Sequence, residues 1–326
     1  MTPPDPIVLG TRGSQLALWQ AHHVRSKLEA YGHRVEVETI RTTGDRVQDV
    51  PITEIGDEAV FTKELDRALL SGDIHAAVHS LKDVPTRLPN GLTLAAIGDR
   101  EQPHDAFVAH PSFDGHLEDL PEEAVIATAS LRRKAQLKAW RPDLNVVPVR
   151  GNVDSRLEKL DDSNWHGMVL AVAGLMRMGL SARIRQHIPV DIMVPAVGQG
   201  ALGIACMIDE SVHSVLRDVL HHEATGWMAA AERGFLREVG GGCQVPMGAW
   251  ARMDSEVDDP TLVVDACIAA LDGSELYRDR RRCTPENAEA TGREMAHDLL
   301  AEGGAEVLRG IIGTRTDRPE SLRFEP

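Results

Sequence analysis

Apolar and polar positions near the start of the chain predict a β-α-β unit. Residues 7–11 form a short apolar run typical of a buried strand, and residues 34–40 alternate as a half-buried strand does. Residues 15–31 between them are predicted to form a helix with Ser14 as its N-cap. Arg12 and Ser14 would therefore lie at a helix N-terminus, where free N–H groups and the helix dipole favour anions.

Further buried strands are predicted along the chain, and polar residues follow each of them. These strands cover residues 73–79, 124–128, 145–149 and 168–173. Because α/β sheets bind ligands at the carboxyl ends of parallel strands, the residues near these ends are candidates for a binding site. They are Ser80, Lys82, Asp83, Thr128, Ser130, Arg132, Arg133, Arg150, Gly151, Arg156 and Arg177.

The repeated arginines are the strongest sign of an anionic ligand. Residues 131–156 carry seven basic and two acidic side chains, a local balance of +5 in a chain whose net charge is −15. Arg132 and Arg133 occupy the first turn of a predicted helix, where their charge opposes the helix dipole. Stability gives no reason for that placement, whereas a planar guanidinium binds carboxylates through two parallel hydrogen bonds. Lys134 and Lys138 are interpreted as a solvated helix face.

The segments that flank these units are less regular. Residues 42–58 have the polar composition of a long loop and are a candidate mobile lid, followed by a helix over residues 61–70. Residues 198–203 match the dinucleotide pattern GxGxxG, but the apolar run 202–208 after them predicts a strand rather than the required helix. We therefore favour a glycine-rich hinge that returns the chain to the first domain.

The pattern changes after residue 210. Residues 211–238 are predicted to be helical, and three strands follow before a closing helix. Asp272-Gly273 is the hairpin turn between the last two strands. This region is predicted to be a small α+β domain with a polar, disordered tail from Gly313. The strands cover residues 245–251, 261–270 and 275–282, and the helix covers residues 286–301.

Composition excludes several classes of function. A chain of 326 residues is expected to form two or three domains, and no apolar run is long enough to span a membrane. The strong negative charge argues against nucleic acid as a partner. The four cysteines form no CxxC pair, and no secretory signal is visible, so a reduced, cytoplasmic setting is expected. His221 and His222 lack companion ligands at helical spacing, so no metal site is predicted.

A run of three glycines leads directly into Cys243. Glycines tolerate positive φ and close approach, so this loop could present a thiol in open space. Taken alone, the segment favours a tight turn around a buried, inert cysteine. The arginines and the single carboxylate of Asp83 favour the first interpretation.

Seven short motifs are distributed along nearly the whole chain. They are Ala17-Leu-Trp-Gln20-Ala, His79-Ser-Leu-Lys-Asp-Val-Pro85, Ser130-Leu-Arg-Arg133, Arg150-Gly-Asn-Val153, Leu170-Ala-Val-Ala-Gly174, Pro195-Ala-Val-Gly-Gln-Gly200 and Gly241-Gly-Cys-Gln-Val-Pro246. Each motif alone is weakly specific, but their order and spacing are highly specific. Together they resemble the porphobilinogen deaminase family.

The resemblance implies an α/β fold with two similar periplasmic-binding-protein-like domains and a small C-terminal α+β domain. It places domain 1 at residues 1–99 and 200–219, domain 2 at 104–194 and domain 3 at 222–326. It implies a monomeric, cytoplasmic transferase of tetrapyrrole (haem) biosynthesis. Such an enzyme condenses four porphobilinogen molecules head to tail onto a dipyrromethane cofactor, releases ammonia and hydrolyses off hydroxymethylbilane.

The resemblance also implies roles for particular residues. Asp83 matches the catalytic aspartate, and Cys243 matches the cysteine that holds dipyrromethane by a thioether. The cofactor-binding residues are expected to be Lys82, Asp83, Thr128, Ser130, Arg132, Arg133, Arg150, Gly151 and Arg156. The residues expected to bind porphobilinogen and the growing oligopyrrole are Arg12, Ser14, Gln20, Phe61, Ser80, Arg150, Arg156, Arg177 and Gln199.

Two departures and two alternatives accompany this hypothesis. Glu58 stands near a position where the family usually has a lysine, and Ala129 stands where a second serine is common. Residues 1–200 alone also permit a non-catalytic, hinged anion-binding module. A cysteine hydrolase would need a histidine base, and no histidine lies near Cys243 in the sequence.

Overall fold

A computed structural model of the chain describes residues 3–42, 62–208, 211–240 and 245–312. The chain divides into two compact units, which are described separately. Unit 1 comprises Met1–Ala129, Asn145–Val190 and Gly198–Gly226. Unit 2 comprises Ser130–Leu144, Asp191–Val197 and Trp227–Pro326.

Strands and helices are numbered in chain order. The strands are β1 Ile7–Thr11, β2 Val35–Thr39, β3 Ala76–Ser80, β4 Leu92–Ile97, β5 Asp105–Ala109, β6 Val125–Ala127, β7 Asn145–Val147, β8 Gly167–Ala171, β9 Gln186–His187, β10 Leu202–Met207, β11 Met247–Met253, β12 Leu262–Ala269 and β13 Leu276–Cys283. The helices are α1 Gln15–Ala30, α2 Lys63–Ser71, α3 Leu131–Trp140, α4 Val153–Asp161, α5 Val172–Arg177, α6 Val212–Leu220, α7 Glu223–Val239, α8 Ala288–Leu299 and α9 Ala305–Ile312.

Unit 1 contains two five-stranded sheets with the same topology. Their strand orders are β2-β1-β3-β10-β4 and β7-β6-β8-β5-β9. In each sheet the first three strands are parallel, and the fourth is antiparallel to both of its neighbours. The prediction of two similar α/β domains is thereby confirmed at the level of the sheets, while the predicted domain borders stay a prediction.

Apolar runs in the strands and stripes on the helices form the cores of these sheets. Ile7 and Leu9 of β1 pack with Val24 and Leu28 of α1 in the first sheet. In the second sheet, the buried side chains of β6 and β8 pack with those of α4. Because the strands are buried on both faces, polar residues lie at their carboxyl ends rather than within them.

Unit 2 contains a three-stranded antiparallel sheet in the order β11-β12-β13. Its core joins Val264 and Ile268 of β12 to Phe235 of α7 and Met295 of α8. The hairpin turn between β12 and β13 has Gly273 at φ 78°, as the predicted Asp-Gly turn requires. This sheet with its helices confirms the predicted small C-terminal α+β fold.

Three predicted elements have different limits in the structure. The predicted strand 168–173 ends at Ala171, and α5 begins directly at Val172. The predicted closing helix ends at Leu299 and passes through a π-turn, with Gly303 at φ 136°, into α9. An unbroken apolar run carries no mark where its period changes, so the first of these limits could not be predicted.

The predicted helix over residues 211–238 is two helices, separated at His221 and His222. The His221 ring accepts a hydrogen bond from the N–H of Ile97, and the N–H of His222 donates to the carbonyl of Ile97. The His222 ring accepts the N–H of Thr225 at 3.2 Å, which begins the next helix. These bonds to a distant strand break the helix.

Several predictions lie outside the described residues. They concern most of the candidate lid at 42–58, Glu58, Phe61, Cys243 and the tail from Gly313. Within the described ranges, no helix is both long enough and apolar enough to cross a bilayer. The same ranges contain no cluster of three or more histidine, cysteine, aspartate or glutamate side chains suited to a metal ion.

Candidate active site

A short 3₁₀ turn, Leu81–Asp83, follows β3 directly and carries the candidate catalytic carboxylate. Leu81 is 1% exposed, and its N–H donates to the carbonyl of Ala201 at 3.0 Å. This anchor in the core fixes the turn to the neighbouring strand β10. Lys82 and Asp83 are half-buried. The Asp83 carboxylate makes no hydrogen bond or ion pair within the described part of the chain.

Polar residues predicted from the sequence meet the turn at the same edge of the first sheet. Gln20 of α1 donates from Nε2 to the Ser80 hydroxyl at 2.8 Å. Ser14 caps α1 by accepting the N–H of Ala17, as predicted. Arg12 follows β1, which pairs in parallel with β3, so both strands end on this edge. The first sheet thus carries cationic and hydroxyl donors and one carboxylate at the same edge.

His79, the residue before Ser80, is buried, and its burial and the nearby Arg12 charge lower its pKa to about 4. Below its ordinary pKa of 6.5 the unfolded chain binds a proton that the folded chain excludes. His79 therefore does not lower the free energy of unfolding above pH 6.5. As pH decreases from 6.5 towards 4, His79 lowers the free energy of unfolding by up to about 3 kcal/mol.

Replacing His79 by glutamine should reduce the decrease in the free energy of unfolding between about pH 6.5 and pH 4. The measurement is the free energy of unfolding at about pH 7 and about pH 4.5 for the wild type and the variant. An exposed histidine, His22, provides the control, because His22→Gln should keep the wild-type slope. Equal slopes for all three proteins would contradict the assignment.

Gln199 is buried, and both ends of its side-chain amide form hydrogen bonds within the protein. It is 1% exposed, and its Nε2 donates to the Pro103 carbonyl at 2.7 Å and to the Asp105 carboxylate at 3.1 Å. Its Oε1 accepts from Lys82 Nζ at 3.4 Å. Gln199 therefore links the Lys82–Asp83 turn to the start of β5 in the second sheet. Its expected contact with substrate stays a prediction.

The second sheet carries its own basic edge. Thr128 and Arg150 follow the parallel strands β6 and β7. Gly151 has φ 118°, and its carbonyl accepts from Arg156 Nε at 2.7 Å. The Arg150 Nη1 atom is buried without a hydrogen-bond partner in the described structure. A buried cationic donor of this kind needs an acceptor, and a ligand carboxylate would provide one.

Arg177, at the end of α5, contacts Gly200 and Trp19 of unit 1. Its Nη2 donates to the carbonyl of Gly200 at 2.6 Å, and its guanidinium lies 5.7 Å from the ring centre of Trp19. Gly200 has φ 92°, and a Cβ there would lie 2.2 Å from the Glu101 carbonyl oxygen. Arg177 thus supports the glycine segment, and its expected contact with substrate stays a prediction.

Unit 2 holds the other predicted arginines in the first turn of α3. Ser130 caps this helix by accepting the N–H of Arg133, as predicted. Arg132 and Arg133 are both buried, and Arg132 Nη1 donates to the Val194 carbonyl at 2.8 Å. Two buried arginines in a first helical turn fit the expected carboxylate-binding role, which stays a prediction.

Two buried polar residues near these sites escaped the sequence analysis. Asp105 is fully buried, and its carboxylate accepts a hydrogen bond from Gln199. Gln136 on α3 forms hydrogen bonds with both the N–H and the carbonyl of Val194. Gln136 lies four residues after Arg132, on the same face of α3, and that spacing is the only signal the sequence offers. Neither partner is close in sequence, so the contacts could not be predicted.

The fold and the sites define a class of protein. It is an α/β protein with two basic sheet edges, one of which also carries a carboxylate, and with a separate α+β unit. Structures of low similarity include a periplasmic substrate-binding protein of an ABC transporter from Coxiella burnetii, with TM-score 0.41 and 15% identity over 70% of this chain and 96% of that one. The family assignment rests on sequence matches.

Sequence matches are far more specific. Residues 7–214 match the family model "Porphobilinogen deaminase, dipyromethane cofactor binding domain", and residues 227–301 match "Porphobilinogen deaminase, C-terminal domain". The porphobilinogen deaminase of Syntrophomonas wolfei subsp. wolfei is 47% identical over 302 residues, 92% of this chain and 97% of its own. That of Synechococcus elongatus is 45% identical over 323 residues, 98% of this chain and 99% of its own.

The chain therefore belongs to the porphobilinogen deaminase family. Membership confirms the predictions of a transferase of tetrapyrrole biosynthesis and of a dipyrromethane cofactor. The roles assigned to individual residues stay predictions.

Proposed function

We propose that the chain condenses four porphobilinogen molecules head to tail onto a dipyrromethane primer bound to Cys243. Ammonia leaves at each condensation, and hydrolysis finally frees hydroxymethylbilane. The observation that carries the proposal is the Leu81–Asp83 turn, which holds the Asp83 carboxylate at a sheet edge that also carries cationic and hydroxyl donors. Within the described residues this carboxylate makes no hydrogen bond or ion pair. A binding module for anions would have no use for a carboxylate there.

Asp83 supplies the electrostatic and proton-transfer part of the reaction. When ammonia leaves porphobilinogen, positive charge develops on the pyrrole nitrogen, and a preorganised carboxylate stabilises that charge. The same carboxylate shuttles protons to the leaving amine and from the pyrrole carbon. Lys82, held by Gln199 at 3.4 Å, fixes the other side of the turn and binds a carboxylate of the ligand.

The residues of each unit fit a group that carries several carboxylates. Arg150, with its orphaned Nη1, and Arg156 would serve in unit 1, and Arg132 and Arg133 in unit 2. When bound, dipyrromethane supplies a covalently held primer with a nucleophilic pyrrole carbon. The Cys243 thiolate would hold the primer, because a soft nucleophile captures the azafulvenium-like cation that porphobilinogen becomes when ammonia leaves, and the resulting thioether survives turnover.

Replacing Arg150 by leucine is expected to weaken capture of the ligand by at least about tenfold. The variant removes a half-buried arginine whose buried Nη1 atom makes no hydrogen bond in the described structure, so stability should change little. KM for porphobilinogen and the rate of priming are the quantities to measure. Arg183→Leu is the matched control, because Arg183 forms an ion pair with Asp161 away from the sheet edge. Equal effects of both variants would remove Arg150 from the site.

The proposed reaction is tested by its stoichiometry. Purified protein is incubated with porphobilinogen, and ammonia and linear tetrapyrrole are quantified together. Four ammonia molecules per tetrapyrrole are expected. Binding of porphobilinogen without release of ammonia would instead favour the hinged anion-binding module.

We further propose that the enzyme acts as a monomer in the cytoplasm. The absence of CxxC pairs and the acidic composition support this setting. Sedimentation of the purified protein should give a mass near 35.6 kDa, and a mass twice as large would overturn the monomer.

A further inference from the structure

Gln136 of α3 makes a side-chain contact that imitates the pairing of two strands. Its Oε1 accepts the N–H of Val194 at 2.7 Å, and its Nε2 donates to the carbonyl of Val194 at 3.1 Å. The residue is 1% exposed, so both ends of the amide act inside the protein. Gln136 thus holds the segment 191–197 against α3 through the same two bonds that a strand would use.

The carbonyl of Val194 is also the acceptor for Arg132. Arg132 lies one helical turn before Gln136 and is 5% exposed, and its Nη1 donates to this carbonyl at 2.8 Å. The carbonyl oxygen has two lone pairs, and the two side chains use both. The direction of the Arg132 guanidinium therefore depends on a carbonyl that Gln136 fixes.

The β-sheet of unit 2 holds the same segment from another side. Arg278 of β13 donates from Nη2 to Gln136 Oε1 at 3.3 Å, and its Nη1 donates to the carbonyl of Asp191 at close range. Gly248 of β11 lies so near that a Cβ would come within 2.7 Å of the Val194 oxygen. Segment 191–197 therefore packs against α3, β11 and β13. Gln136 of α3 bonds both to this segment, at Val194, and to β13, at Arg278.

We infer that Gln136 is a positioning residue for Arg132 in binding the carboxylates of the cofactor. The inference rests on the proposed function, in which Arg132 is one of the cofactor arginines. The Arg132 guanidinium is planar, and its bond from Nη1 to the Val194 carbonyl restrains the direction of the whole group. Fixing that carbonyl therefore helps to orient the guanidinium, as a supporting hydrogen bond orients a binding group. Gln136 itself does not touch the ligand, because its amide is buried and engaged.

The test is the rate at which apo-protein acquires the cofactor. Full-length apo-protein is made in cells that cannot synthesise porphobilinogen, porphobilinogen is added, and intact mass is followed with time. Gln136→Leu should slow the appearance of the adduct by about tenfold or more. Because the readout is mass, it does not depend on the activity of the loaded enzyme.

A matched control separates positioning from simple loss of stability. Gln186 of β9 accepts the N–H of Leu117 at 2.8 Å and donates to Glu118 at 2.9 Å, so Gln186→Leu loses similar bonds elsewhere. This control should lower the melting temperature yet acquire the adduct at the wild-type rate. If Gln136→Leu does not fold, Gln136→Glu replaces it, since a carboxylate keeps the Val194 N–H and Arg278 as partners but faces the Val194 carbonyl without a donor.

A double variant connects the effect to Arg132. If Gln136 acts through Arg132, adding Gln136→Leu to Arg132→Leu should slow loading no further. An equal additional slowing in that background, or loading of Gln136→Leu at the wild-type rate, would overturn the inference. Failure of the wild type itself to gain mass would count against the proposed function instead.

Discussion

Replacing Asp83 by asparagine is expected to reduce kcat by about a thousandfold or more and to leave the fold intact. The carboxylate is half-buried and makes no hydrogen bond or ion pair within the described residues, so its removal breaks no structural contact. The amide has nearly the same shape, but it can neither stabilise positive charge on a pyrrole nitrogen nor accept a proton. Loss of a preorganised charge and of a proton shuttle together accounts for the magnitude.

The measurement is ammonia release in a single turnover, with the melting temperature recorded in parallel. Asp73→Asn is the control, because Asp73 is exposed before the same strand and its carboxylate accepts a hydrogen bond from the Ser71 hydroxyl at 2.6 Å. The control should retain normal turnover. Normal turnover in Asp83→Asn would exclude Asp83 from the chemistry, whatever the family assignment.

Sequence alone could predict where the candidate carboxylate lies, because the relevant rules are local. The apolar run before Ser80 predicts a buried strand, and Ser14 after β1 predicts a helix start. Parallel pairing of β1 and β3 then brings both strand ends to one edge. The Ser130 cap and the arginines in the first turn of α3 follow from equally local signals.

Contacts between distant parts of the chain could not be predicted in this way. The amide of Gln199 bonds to Lys82, Pro103 and Asp105, none of which lies near it in the sequence. The break at His221 depends on Ile97, 124 residues earlier in the chain. In both cases the partners lie at or near the ends of strands that are distant in sequence, and no periodicity near Gln199 or His221 records them.

Replacing Cys243 by serine is expected to abolish the covalent adduct completely. A serine hydroxyl does not ionise near neutral pH, so it cannot replace a thiolate as the nucleophile that forms the bond to the primer. The intact mass of freshly purified wild-type protein should exceed its sequence mass by two linked pyrrole units. The Cys243→Ser protein should show its sequence mass before and after addition of porphobilinogen.

The remaining cysteines make this test specific, because each is a poor site for attachment. Cys206 and Cys267 are buried, and burial raises the pKa of the Cys267 thiol. Cys283 is half-buried, and burial raises its pKa as well, so a Cys283→Ser control should keep the adduct. An adduct that persists in Cys243→Ser and disappears in Cys283→Ser would move the attachment point to β13. An adduct in neither the wild type nor the variants, even with porphobilinogen added, would leave the arginines as binders of a ligand that never becomes covalent.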